Sequence, residues 1–166
     1  MGLFSFFKKA GSKSLVDKNK EAAAAKEKAE NREKFVAAQR KDLLESIVRS
    51  TKIDVRNLDI DLKGDDNDVV HISGEVDSQA EKEKVVLAVG NVNGVGYVDE
   101  NITVKNEGEI QSEFYEVQSG DSLSKIAKQY YGDPMKYTAI FEANKPMLSD
   151  PDKIYPGQTL RIPKNA

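Results

Sequence analysis

The residues that most restrict the fold are Leu58-Asp59-Ile60-Asp61-Leu62 and Val69-Val70-His71-Ile72-Ser73-Gly74-Glu75-Val76, separated by the polar break Lys63-Gly64-Asp65-Asp66-Asn67-Asp68. Alternation puts every second side chain on one face, as a half-buried strand needs, and the break between them supplies turn residues. A β-hairpin is predicted. Ser78 then opens a capping-box pattern with Glu81, in which each side chain satisfies a free N–H near the other's backbone, and leads a helix through Ala80, Val85, Leu87, Ala88 and Val89. Upstream, Phe35-Val36, Leu43-Leu44 and Ile47-Val48 recur at helical spacing; downstream, Tyr97 to Val104 reads as a closing strand. The order is α-β-β-α-β, an α+β unit.

Between that last helix and strand lies Val89-Gly90-Asn91-Val92-Asn93-Gly94-Val95-Gly96-Tyr97. Its glycines allow backbone groups to converge on one point without intervening side chains. The spacing is neither Gly-x-Gly-x-x-Gly nor a Walker loop, and the stretch follows a helix rather than preceding one. A helix C-terminus presents unpaired carbonyls and partial negative charge, so a cation suits it better than phosphate. Val92 and Val95 offer only neutral backbone oxygens, which fits potassium. Asp99 and Glu100 keep a divalent ion in play, and from the residues alone a plain connecting turn is the favoured reading over an ion site.

Composition limits the remaining choices. At 166 residues, with 39% hydrophobic and 32% charged, the chain has room for two small domains. A net charge of −3 argues against a broad nucleic-acid surface, and the absence of cysteine with a single histidine excludes a Cys/His zinc site. Met1-Gly2-Leu3-Phe4-Ser5-Phe6-Phe7-Lys8-Lys9 is too short in apolar residues for a secretory signal, and Phe6 stands where myristoylation needs Ser or Thr. A cytoplasmic chain without stable membrane insertion is expected. Leu3, Phe4 and Phe7 share one helical face that needs cover, by docking on this protein or on a membrane surface. Asp17 to Glu33, rich in Ala, Lys and Glu, reads as a solvated helix or semi-rigid spacer. The Asp65-Asp66-Asn67-Asp68 cluster lacks EF-hand spacing and reads as a solvated turn, and His71 as a strand residue with a satisfied ring. Nothing reads as a catalytic constellation, so no enzyme activity is expected.

The α-β-β-α-β order, with Val69 to Val76 and Val89-Gly90-Asn91-Val92-Asn93-Gly94-Val95, resembles the BON domain over residues 35–106. Residues 1–34 would then be a docking segment and spacer, and 107–113 a linker. The C-terminal third, 114–166, is similar to a LysM domain (β-α-α-β). It carries Phe114-Tyr115-Glu116-Val117-Gln118-Ser119-Gly120-Asp121-Ser122-Leu123, Tyr130-Tyr131-Gly132-Asp133, Ile140-Phe141-Glu142-Ala143-Asn144 and Ile154-Tyr155-Pro156-Gly157-Gln158-Thr159-Leu160-Arg161-Ile162-Pro163.

The BON–LysM combination resembles cytoplasmic potassium-binding proteins. That resemblance implies a K+ site of backbone carbonyls at Phe7 and Ala10 on one side and Gly90, Val92 and Val95 on the other. It further implies a monomeric ion sensor whose domains and N-terminal segment become ordered on binding. The alternative is a cell-envelope adaptor, with lipid bound by the N-terminus or BON domain and peptidoglycan by the LysM domain. Its sugar groove would involve Gly120, Asp121, Ser122, Leu123, Ile154 and Pro156, with Tyr115, Tyr130, Tyr131, Tyr137 and Tyr155 as candidate stacking surfaces.

Overall fold

The computed structural model describes residues 15–64, 66–106 and 110–164. Two compact units divide the chain, 1–38 and 39–166. In the first, the described residues are helical, belonging to α1 (Leu15–Ser50), and the side chains from 19 to 36 are exposed. That suits a stretch of strong helix formers with little to bury.

The second unit holds two sheets. Strands β1 (Arg56–Lys63) and β2 (Val69–Val76) form the predicted antiparallel hairpin, with Ile60 opposite Ile72 and Asp61 opposite His71. The capping box is formed, with Ser78 accepting from the Glu81 N–H and the Glu81 carboxylate reaching back to the Ser78 N–H, and it opens α2 (Gln79–Gly90). This helix carries the chain to β3 (Tyr97–Val104), which pairs parallel to β2 and gives the order β1-β2-β3. Leu44 and Val48 of α1, Ile60, Val70, Ile72 and Ile102 of the sheet, and Val85 and Val89 of α2 make one core.

The apolar spacing on α1 overstates what is covered. Leu44 and Val48 are buried, whereas Phe35, Val36 and Leu43 are exposed. The periodicity marks a face wider than the sheet's core needs.

Strands β4 (Glu113–Glu116) and β5 (Thr159–Ile162) pair antiparallel. Between them run α3 (Leu123–Tyr131), a 3-10 turn at Pro134–Lys136 and α4 (Tyr137–Ala143). Val117, Leu123, Ile126, Ile140, Leu148, Leu160 and Ile162 form the second core. Among the described residues no helix is long and apolar enough to cross a membrane.

Candidate functional site

The glycine stretch begins where α2 runs out of partners for its last carbonyls. Asn91 caps that end, its N–H donating to Leu87 and Val89 carbonyls and its side-chain Nδ2 donating to Leu87 O at 3.0 Å. Two tight steps follow, Val92 N–H to Val89 O (3.1 Å) and Val95 N–H to Val92 O (3.0 Å). A carbonyl has two acceptor directions, so Val92 O retains one for a further partner. The loop ends on the hairpin turn, with Gly96 N–H donating to Asp68 O at 2.8 Å and Tyr97 N–H to the same oxygen at 3.3 Å. A Cβ at Gly96 would lie 2.9 Å from the Asp68 carboxylate, so a larger residue at this corner would need that side chain to shift.

Arg40 of α1 reaches the middle of the loop and donates from Nη2 to Gly94 O. Gly94 has φ +86°, and a Cβ there would lie 3.1 Å from that guanidinium nitrogen. The positive φ favours glycine, and any Cβ would also press the guanidinium aside.

Gly90, Val92 and Val95 line one open cleft of about 540 Å³, closed on its far side by Met147, Tyr155 and Pro156. Phe7 and Ala10, the other half of the proposed carbonyl set, lie outside the described residues, as do Leu3 and Phe4.

The loop is tied to the second sheet by one side chain. Asn91 Oδ1 accepts from Thr159 N–H (2.8 Å) while its Nδ2 donates to Thr159 O (3.0 Å), so the amide reads strand β5 as a neighbouring strand would. Asn144 does the same two residues along, accepting from Arg161 N–H and donating to Arg161 O, both at 2.8 Å. A second tie is an ion pair. Arg161 Nε lies 2.5 Å from Glu83 Oε2 on α2, and the Glu83 side chain is only 4% exposed. Burial pushes the Glu83 carboxyl up, but hydrogen bonds from Arg161, Gln79 and Ser112 outweigh it and hold the group below the ordinary carboxylate range.

The candidate sugar-groove residues are arranged differently. Leu123 is buried in the second core and Ile154 packs against it. Asp121 accepts from the Gln118 N–H and the Tyr115 hydroxyl, both at 2.8 Å, and these bonds hold its carboxyl below the usual range. Ser122 caps α3, and Gly120 O accepts from Lys125 Nζ at 2.7 Å. Pro156 instead lines the cleft facing the glycine loop. Of the tyrosines, Tyr115 and Tyr130 meet edge to face at 5.8 Å, Tyr131 donates to Pro163 O, and these three with Tyr137 pack on the core. Tyr155 alone of the five is largely exposed, at 64%. His71 is satisfied by Asp99, Nδ1 to Oδ2 at 2.7 Å.

The BON domain profile matches residues 36–106, and the LysM domain profile matches 115–163. The chain carries a BON domain followed by a LysM domain. It is similar to "Potassium binding protein Kbp" of Escherichia coli O6:H1 (strain CFT073), 53% identical over 93 residues that cover 56% of this chain and 62% of that protein. It is also similar to an uncharacterized protein of Deinococcus radiodurans, 37% identical over 120 residues, covering 66% of this chain and 46% of the other. The match thus spans under two thirds of either relative's length.

The residues that shape the BON loop are not the ones sequence spacing singles out. Arg40, Asp68 and the Asn91–Thr159 pair each join positions far apart in the chain, and each looks in isolation like an ordinary polar surface residue. The one available signal was the loop's own composition, because asparagine beside glycine at a helix end is a capping residue.

Proposed function

We propose that this protein binds potassium through main-chain carbonyls of the BON glycine loop, at Gly90, Val92 and Val95, with Phe7 and Ala10 of the N-terminal segment completing the cage. The observation that carries this is the donor set. The loop leaves the C-terminal end of α2, where neutral carbonyl oxygens and the helix dipole favour a cation, and its valines bring no side-chain ligand. Such oxygens suit a weakly hydrated monovalent ion, whereas calcium and magnesium recruit carboxylates. Similarity to a protein named for potassium binding supports the same choice. The cleft before the loop is much wider than one ion, which leaves room for a chain segment to close it.

In this proposal the protein is a monomeric cytoplasmic sensor. Ion binding orders the N-terminal segment and the loop and fixes the LysM domain against them. A ligand that binds only the docked state stabilises it by about 2.7 kcal/mol when present at about 100 times its Kd. Thermal unfolding of the full chain at constant ionic strength tests this, with potassium exchanged for sodium. The midpoint is expected to rise by several degrees in potassium alone, and deletion of residues 2–10 to abolish the rise; equal midpoints in both salts would overturn the proposal.

The envelope-adaptor alternative has less support, since Leu123 is core and Asp121 and Ser122 are committed to their own turn. Retention of the chain on purified cell-wall sacculi would favour that alternative.

A further inference from the structure

Among the described arginines, three sit on carboxylates: Arg49 on Glu45, Arg56 on Glu75 and Asp77, and Arg161 on Glu83. Arg40 differs. Half-buried on α1, it has no carboxylate within ion-pair distance among the described residues, and its partner is the Gly94 carbonyl in the middle of the BON loop. The guanidinium lies close over the Gly94 backbone, with Nη2, Nη1 and Cζ at 3.1, 3.6 and 3.7 Å from where a Cβ would stand, so a side chain at residue 94 would crowd the contact. A guanidinium stays protonated throughout the accessible pH range. The loop therefore already holds one cation, supplied by the chain itself, on an oxygen between Val92 and Val95.

We infer that Arg40 is a tethered competitor for the loop's cation site, setting how much free potassium is needed to occupy it. This rests on the proposed potassium site and specifies its regulation. Carbonyl dipoles that attract a free monovalent ion also attract the guanidinium, and the tether gives the latter a high local concentration. Once a free ion enters, two unit charges stand a few ångströms apart near the protein surface, a repulsion worth about tenfold or more in an equilibrium constant. Arg40 must either swing away from Gly94 or be tolerated at that penalty; both raise the potassium concentration at half-occupancy.

The test is potassium titration of the full chain at constant ionic strength, comparing the native protein with Arg40→Gln and Arg40→Lys. Glutamine removes the charge, whereas lysine keeps it without the guanidinium fork, so the pair of variants separates loss of charge from loss of the guanidinium contact. Arg40→Gln is expected to bind potassium about tenfold more tightly, while Arg40→Lys, which keeps the charge, gains no more than about threefold. Far-ultraviolet circular dichroism establishes that each variant is folded. Unchanged or weaker binding by folded Arg40→Gln, with the native chain responding, would overturn the competitor role and leave the potassium site standing. A response gained only in Arg40→Gln would support the competitor role and remove potassium binding from the native chain. No response in any of the proteins would overturn both.

Discussion

Two glycine turns in this molecule meet a basic side chain in the same way and are otherwise built on opposite plans. In the LysM domain, Lys125 donates to Gly120 O from five residues away, Asp121 gathers the Gln118 N–H and the Tyr115 hydroxyl, and Ser122 caps the helix that follows. Every partner lies within a few residues, so the turn closes as the local chain folds. The BON loop instead is shaped by Arg40, 54 residues distant, and by Asp68 and Thr159 from other elements. The first turn precedes a helix and spends its polar groups on N–H donors; the second follows a helix and is left with carbonyls. A turn held by remote partners takes its shape from the tertiary structure, which is the property a loop needs if its occupancy is to report domain arrangement.

That dependence is broken most severely at the BON–LysM ion pair. Arg161→Met leaves the buried Glu83 carboxylate without its charge partner, an expected loss of about 3 kcal/mol in urea unfolding at neutral pH. The folded Glu83 carboxyl lies below its ordinary value of 4.5, so its contribution is present above that value and lost as pH falls through the folded one. In the variant burial acts unopposed by the arginine, so the gap between variant and native stability is expected to narrow on acidification.

A smaller effect follows from Asn91→Ala, which strips the Thr159 N–H and C=O of their partner at an expected cost of about 1–2 kcal/mol. Hydrogen exchange sharpens this, because the Thr159 amide is expected to exchange faster while the Arg161 amide, held by Asn144, keeps its protection. A Thr159 amide that stays protected would mean that Asn91 does not tie the domains.

The mildest change is Asp121→Asn. Its carboxylate is near the surface, where water screens the lost charge, so the cost is expected to stay under about 1 kcal/mol. The potassium response is expected to be unaffected. A larger change in that response than Asn91→Ala produces would show that the two turns are not independent.

The comparison also explains what the sequence made legible. The hairpin, the Ser78–Glu81 capping box and the bounds of β3 are decided by residues within one or two turns of each other, and alternation and capping chemistry state them directly. That the glycine stretch leaves a helix was legible for the same reason, since it needs only the order helix then glycine. Arg40, Asn91 and the Glu83–Arg161 pair were not, because nothing local distinguishes a polar residue that will meet a partner 54, 68 or 78 positions away from one that will face water. Phe35, Val36 and Leu43 mislead in the opposite sense. Their spacing is that of a buried face, yet the sheet's core is filled by Leu44 and Val48.

Strand β5 carries a further consequence. A two-stranded sheet has an outer edge on each strand, and an open edge is a template on which another chain can add itself. Here the far side of β5 is sealed by two asparagine amides, Asn144 from its own domain at Arg161 and Asn91 from the neighbouring one at Thr159. The seal is therefore only half the LysM domain's own. Any change that parts Asn91 from β5 would open the Thr159 rung and give the strand a sticky margin that the intact pairing covers. Concentrated protein lacking that pairing would be the form most exposed to self-association.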